Sequence, residues 1–148
     1  LSVETATLPD AEAAAAAIVE GVNDVRFDAG LPNVGRDSTL RFAAENHSAD
    51  MAERDFYSHE NPDGEMPHHR VPCDALENIH TGAMGAIRNI DGDRTWDVRD
   101  AEELAGYVVE GWILSDSHYS VLVERDIGRV GVGVHVDSSE FFATAMFC

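Results

Sequence analysis

The sequence predicts an α+β fold on two main observations. An alanine-rich stretch near the start and two later stretches repeat apolar residues at helical spacing. The chain then closes on two β-rich runs joined by Asp137-Ser138-Ser139. Helices first and an antiparallel pair last make an α+β sandwich. At 148 residues, with 44% apolar and 26% charged, the chain suits one folded domain. Residues 1–9 read as a lead-in and residues 10–148 as that domain.

Each element has a local reason. Asp10 is suited to cap a first helix over Ala13–Val25, with Ile18, Val22, Val25 and Phe27 as its apolar stripe and Gly30 as its stop. Asp37 or Ser38 caps a second, in which Leu40, Ala43, Ala44, His47 and Met51 recur at helical spacing and which ends near Phe56. Pro62-Asp63-Gly64 is a turn. Residues 65–99 read as irregular, with one short apolar piece at Ala75–Ile79 and a turn at Asp91-Gly92-Asp93. Leu104, Tyr107, Val108, Gly111 and Trp112 mark a third helix from Asp100, broken at Ser115–Ser117, with a short helical piece at Tyr119–Val123. Val130–Val136 and Phe141–Phe147 are the closing strands. Gly131 and Gly133 alternate with valines there, which predicts a strand onto which something packs closely.

Charge excludes several functions. There are 28 acidic residues against 10 basic ones, a formal charge of −18, and every basic residue is Arg. Such a charge repels itself, and at about 1 M salt, where the Debye length falls to ~3 Å, most of that penalty is gone. The composition therefore reads as adaptation to concentrated salt, as in a halophile. Nothing here could neutralise a run of phosphates, so nucleic acid is not an expected partner. No stretch approaches the ~20 apolar residues of a membrane span, the longest plain run being Ala13–Val19. The chain starts at Leu1 and not at Met, which reads as a processed piece whose signal or anchor lay upstream. Cys73 and Cys148 are too few for a disulfide scaffold and have no C-x-x-C spacing; alone they leave open whether they bridge.

Common catalytic templates are absent: no G-x-S-x-G, no H-E-x-x-H, no P-loop, no dinucleotide fingerprint. Asp91–Glu102 alternates acidic residues, but Trp96 stands where a calcium loop needs Gly. What remains is His and Glu at element ends. Glu77 lies between Leu76 and Ile79, and Glu110 among Val108, Val109, Gly111 and Trp112. Carboxylates in apolar surroundings need a partner: taken singly, each suits an Arg or a loop cap, and with Arg sparse in these segments the other available cations are histidines such as His59 and His118, or a metal. His68, His69 and His80 read as solvent-facing loop residues.

These residues carry a resemblance. Leu40–Ala44 and Met51–Gly64, then Glu77-Asn78-Ile79, then Val109-Glu110-Gly111-Trp112 with Ser115 and His118, then Arg129–Gly133, run in the order of the CAP superfamily. That superfamily joins cysteine-rich secretory proteins and pathogenesis-related proteins with prokaryotic SCP-like domains. Asn23 and Arg26 resemble its N-x-x-R, and the similarity covers residues 15–148.

The resemblance implies a three-layer α-β-α sandwich with a central antiparallel sheet and an open cleft. It implies that His59, Glu77, Glu110 and His118 converge on a divalent metal, zinc by preference, held by the two histidines with the glutamates ligating directly, through water, or by orienting a histidine. It also implies a secreted or cell-surface location and a small molecule or lipid in the cleft. A binding module without established catalysis is the leading expectation. The alternative is a metal-assisted hydrolase with Glu77 or Glu110 as general base. In such a fold Cys73 and Cys148 sit beside neighbouring strands of one sheet, so they are expected to bridge.

Overall fold

The computed structural model describes residues 8–88, 92 and 94–148. In chain order the elements are α1 (Ala11–Asp28), β1 (Gly35–Arg36), α2 (Ser38–Arg54), α3 (Pro67–Arg70), β2 (Leu76–Ala83), β3 (Ala86–Arg88), β4 (Thr95–Asp97), α4 (Ala101–Ile113), α5 (Asp116–Leu122), β5 (Arg129–Val136) and β6 (Glu140–Phe147). The main sheet has the order β1-β5-β6-β2. β5, β6 and β2 pair antiparallel, and the two residues of β1 pair parallel to β5. β3 and β4 form a separate hairpin.

Strand alternation decides the layers. Phe141, Ala143, Ala145 and Phe147 of β6 and Val130 and Val132 of β5 face α1 and α4 in the larger core, with Ile18, Val22, Leu104, Val108 and Trp112. On the opposite face Met146 packs with Leu40 and Ala44, and Phe142 and Ile79 with Met51. Gly131 and Gly133 lie on that second face, where a Cβ would fall on the α2 backbone at Leu40–Arg41 and Ala44–Glu45. The close packing expected of this strand is therefore α2 lying directly on the sheet. The result is a three-layer α-β-α sandwich.

Caps act as expected. Asp10 Oδ1 accepts from Glu12 N and Ala13 N, and Asp37 Oδ1 accepts from Leu40 N. Arg26 is fully buried and donates to the carbonyls of Pro32, Leu122 and Glu124, tying α1 to the end of α5. Burial, the larger effect, holds its pKa below the ordinary value against the raising field of Glu124.

The structure corrects several expectations. Phe27 is 78% exposed; nine residues after Ile18 it has turned about 180° around the helix. α2 stops at Arg54, because Asp55 takes a left-handed conformation (φ 57°) and Phe56 N closes back on Met51 O. The segment 65–99 is not irregular: it holds α3, β3 and β4, and β2 continues to Ala83. Of the expected turn at 91–93, only Gly92 lies within the described residues. Cys73 and Cys148 form a disulfide across a sequence separation of 75. No described helix is long and apolar enough to cross a membrane.

Candidate functional site

After Asp55 the chain leaves α2 and runs along the outer edge of β2, where three side chains fix it. Tyr57 OH donates to Ile79 O at 3.2 Å, His47 Nε2 donates to Ser58 O at 2.9 Å, and Arg70 Nη1 donates to His59 O at 3.0 Å. Asn61 then folds the following loop: its Oδ1 accepts from Asp63 N and Glu65 N, and Gly64 takes φ 82°. His59 is thus held by backbone contacts while its ring stays 43% exposed.

The centre of the arrangement is Glu77, whose side chain is wholly buried. It lies on the α2 face of β2. Its Oε2 accepts from Arg70 Nη2 at 2.6 Å and its Oε1 from His59 Nδ1 at 2.7 Å, with His47 Nε2 3.8 Å away. A buried carboxylate is tolerable only with such partners. Of the partners open to it in the sequence, the chief cation is an Arg, Arg70, seven residues upstream. His47, itself buried, has its pKa held down by burial, with the negative charge of Glu77 pulling the other way.

The next residue, Asn78, points to the opposite face and donates from Nδ2 to His118 O at 3.0 Å. Consecutive residues of one strand therefore hold two histidines that arrive from different layers. His118 Nδ1 meets Ser115 Oγ at 2.9 Å across the first turn of α5. Burial first, and then the nearby charge of His59, lower the His118 pKa.

His80 is not a loop residue. It stacks on Tyr107 (ring centroids 4.9 Å apart, 13° between planes), and its Nδ1 accepts from Thr81 N. Burial, and secondarily His118, lower its pKa to about 4. Its ring explains Gly111, where a Cβ would lie 2.6 Å from His80 Nε2. His68 and His69 are exposed, as expected, but lie in the single turn of α3 and not in a loop.

Glu110 does not join this group. It is half-buried and lines a groove of about 380 Å³ between α1 and α4, with Glu20, Asp24 and Glu102 as further carboxylates. Among the described residues no three or more His, Cys, Asp or Glu are grouped as a metal ion would need. Glu77 touches His59, His118 lies within its electrostatic reach, and the four expected ligands do not form one set. Arg70 is not singled out in the sequence, where Ser115 stands only as a motif position and His47 only as a residue of the α2 stripe. Ser115 had a signal, three residues before His118 at the start of a helix. His47 had another, as an imidazole on an apolar helix stripe that must find a polar partner.

Both site histidines engage Nδ1, and among the described residues neither Nε2 has a hydrogen bond. With Glu77 accepting from Nδ1–H, His59 carries the tautomer whose Nε2 lone pair a metal takes, and Ser115 can hold His118 likewise. Each imidazole so held offers the nitrogen donor that a divalent ion such as zinc takes. Glu77, spent on Arg70 and His59, does not fit as a ligand.

The sequence profile of the cysteine-rich secretory protein family, CAP, matches residues 19–148. Among solved structures, an outer surface protein from Borrelia burgdorferi superposes with a TM-score of 0.74 at 17% identity, covering 93% of each chain. An extracellular protein with an SCP domain from Bacillus anthracis gives 0.70 at 22% identity, with 93% of this chain matching 40% of that one. NaASP2, solved with Zn2+, gives 0.64 at 14% identity over 92% of this chain and 79% of that one. No curated protein sequence matches the chain.

Proposed function

Because the chain belongs to the cysteine-rich secretory protein (CAP) family, we propose that it is a secreted or cell-surface binding domain in which His59 and His118 together hold one divalent metal, zinc by preference, beside a small ligand or lipid. The disulfide suits an oxidising location. The observation that carries the metal reading is the pair of imidazoles with Nδ1 engaged and Nε2 uncommitted. A related fold solved with Zn2+ supports the choice of ion. A zinc ion held there would supply a Lewis-acidic anchor for an oxygen or sulfur of the ligand. Glu77 orients His59, Arg70 holds Glu77 in place, and Asn78 and Ser115 set His118. Hydrolysis finds less support: Glu77 is committed to two partners and Glu110 faces another groove, so neither is poised as a general base.

Zinc titration by calorimetry decides the matter when run at high salt, where the many surface carboxylates are screened. The parent should bind one equivalent, and the His59→Ala/His118→Ala variant should lose it while keeping its circular dichroism. Replacing His68 and His69 should change nothing. Equal binding by the parent and the His59/His118 variant would sink the assignment.

A further inference from the structure

β5 has more edge than β1 covers. β1 pairs only with Arg129 and Val130, whereas β5 continues to Val136. Val130 turns its carbonyl toward β1, where Asp37 N donates to it at 2.9 Å. Alternation along the strand turns the N–H and C=O of Val132 and Val134 to the same side. No strand lies beside them there, and among the described residues no group bonds to them on that side.

This edge is recessed. A groove of about 740 Å³ runs along its first part, with Val130–Val132 as its floor, Ala13, Ala16 and Val19 of α1 as one wall with Glu12 at its end, and Arg41 and Glu45 of α2 as the other; Val134 continues the same edge beyond it. β1 already occupies the first two positions of the same edge, so the space between the helical layers admits a backbone at strand spacing. An acyl chain would match the alanine wall but would leave the valine N–H and C=O groups without partners, which is costly in a recess. Only another main chain offers donors and acceptors at the strand repeat. The two walls then dictate its side chains: small or apolar toward α1, and polar or basic toward the Arg41–Glu45 pair.

We propose that the open edge of β5 is a docking slot for an extended segment of a partner polypeptide, which adds to the sheet as a strand alongside Val132 and Val134. Main-chain hydrogen bonds supply the affinity and the two walls the selectivity. The recess also shields the edge, since α1 and α2 flank it and stand in the way of a second intact sheet.

The probe is the peptide acetyl-Ser-Val-Thr-Val-Arg-Val-Ser-amide, fluorescently labelled and titrated against the whole chain. Hydrogen exchange at Val132 and Val134 is measured in parallel. Saturable binding with slowed exchange at both amides supports the slot. Val134→Pro removes one outward N–H without touching the β5–β6 ladder. It should weaken binding about tenfold, the equivalent of one hydrogen bond. Ala16→Trp fills the groove from the other element and should abolish binding even if the proline variant folds poorly. Three results would overturn the proposal: no protection of the two amides at millimolar peptide, equal binding of a peptide N-methylated at alternate residues, or binding only by a shortened chain beginning at Leu8. The last would assign the slot to the chain's own first residues.

Discussion

At the scale of the residue, the site turns on which cation faces Glu77. A carboxylate with no exposed side-chain surface costs several kcal/mol if it loses its partner, far more than a surface pair is worth. Arg70→Met leaves Glu77 with His59 and the more distant His47, and also frees the carbonyls of His59 and Glu65. It should destabilise the protein by about 3 kcal/mol in denaturant unfolding and weaken zinc binding, because His59 is no longer fixed. Retained stability in this variant would mean that the histidines carry the charge. His80 makes a separate prediction. Its folded pKa of about 4 lies below the ordinary 6.5, so the folded state favours the neutral ring. The stabilisation is complete above pH 6.5 and is lost as pH falls toward 4, because the unfolded chain takes up the proton first. Across that window His80 alone should cost about 3 kcal/mol. Carboxylates titrate in the same range, so the reading is a difference: His80→Phe, which can keep the stack on Tyr107, should show a flatter stability–pH curve than the parent. Parallel curves would place His80 in water.

At the scale of the element, legibility in the sequence followed the range of the interactions. The β5–β6 hairpin was legible because Val130, Val132 and Val134 alternate with small residues and Asp137-Ser138-Ser139 ends the run; α1, α2 and α4 were legible from their caps and their 3.6-residue period. α3 was not, since a single turn beginning at Pro67 has too few residues to show a period. The second half of β2 was not either: His80, Thr81 and Gly82 have no apolar alternation, and it is their pairing with Phe141–Ala143 that holds them extended. The same contrast holds within the site. His59, Glu77 and His118 could be picked out along the chain, but the Arg70–Glu77 pair and the turning of Glu110 toward α1 depend on how helices pack, which no local pattern encodes. The element that joins these parts is the segment from α3 to β2, pinned by Cys73–Cys148 to the end of β6. Replacing both cysteines with Ser frees a loop of this size, at a cost of about 4 kcal/mol in the chain-entropy model. Since Arg70 lies three residues before Cys73, zinc affinity should fall along with the melting temperature. A melting temperature unmoved by reductant would remove the disulfide from the stability account.

At the scale of the whole molecule, the unbalanced quantity is charge. Among the described residues, five of the 10 Arg pair with Glu45, Asp50 and Asp63, Glu77, Asp97 and Asp37. Arg26 spends its donors on carbonyls, and Arg94 stacks over Trp96. With 28 acidic residues the surface keeps an excess that these cations cannot neutralise. Two effects of salt then oppose each other. Screening weakens the exposed pairs, each worth at most about 1 kcal/mol, and it relieves repulsion among all the remaining carboxylates, which acts over distances up to the Debye length of ~10 Å at 0.1 M. The pairs are few and local while the repulsion is summed over the molecule, so relief should win. Thermal unfolding followed by circular dichroism from about 0.1 to 3 M sodium chloride, the range over which the Debye length shrinks several-fold, should show a marked rise in midpoint, steepest at the low end. Sucrose, which stabilises by exclusion from the surface without screening, should not reproduce that early rise. A midpoint flat in salt, or one that sucrose matches, would mean that the acidic surface is no burden to the fold and that its adaptation to salt has been misread.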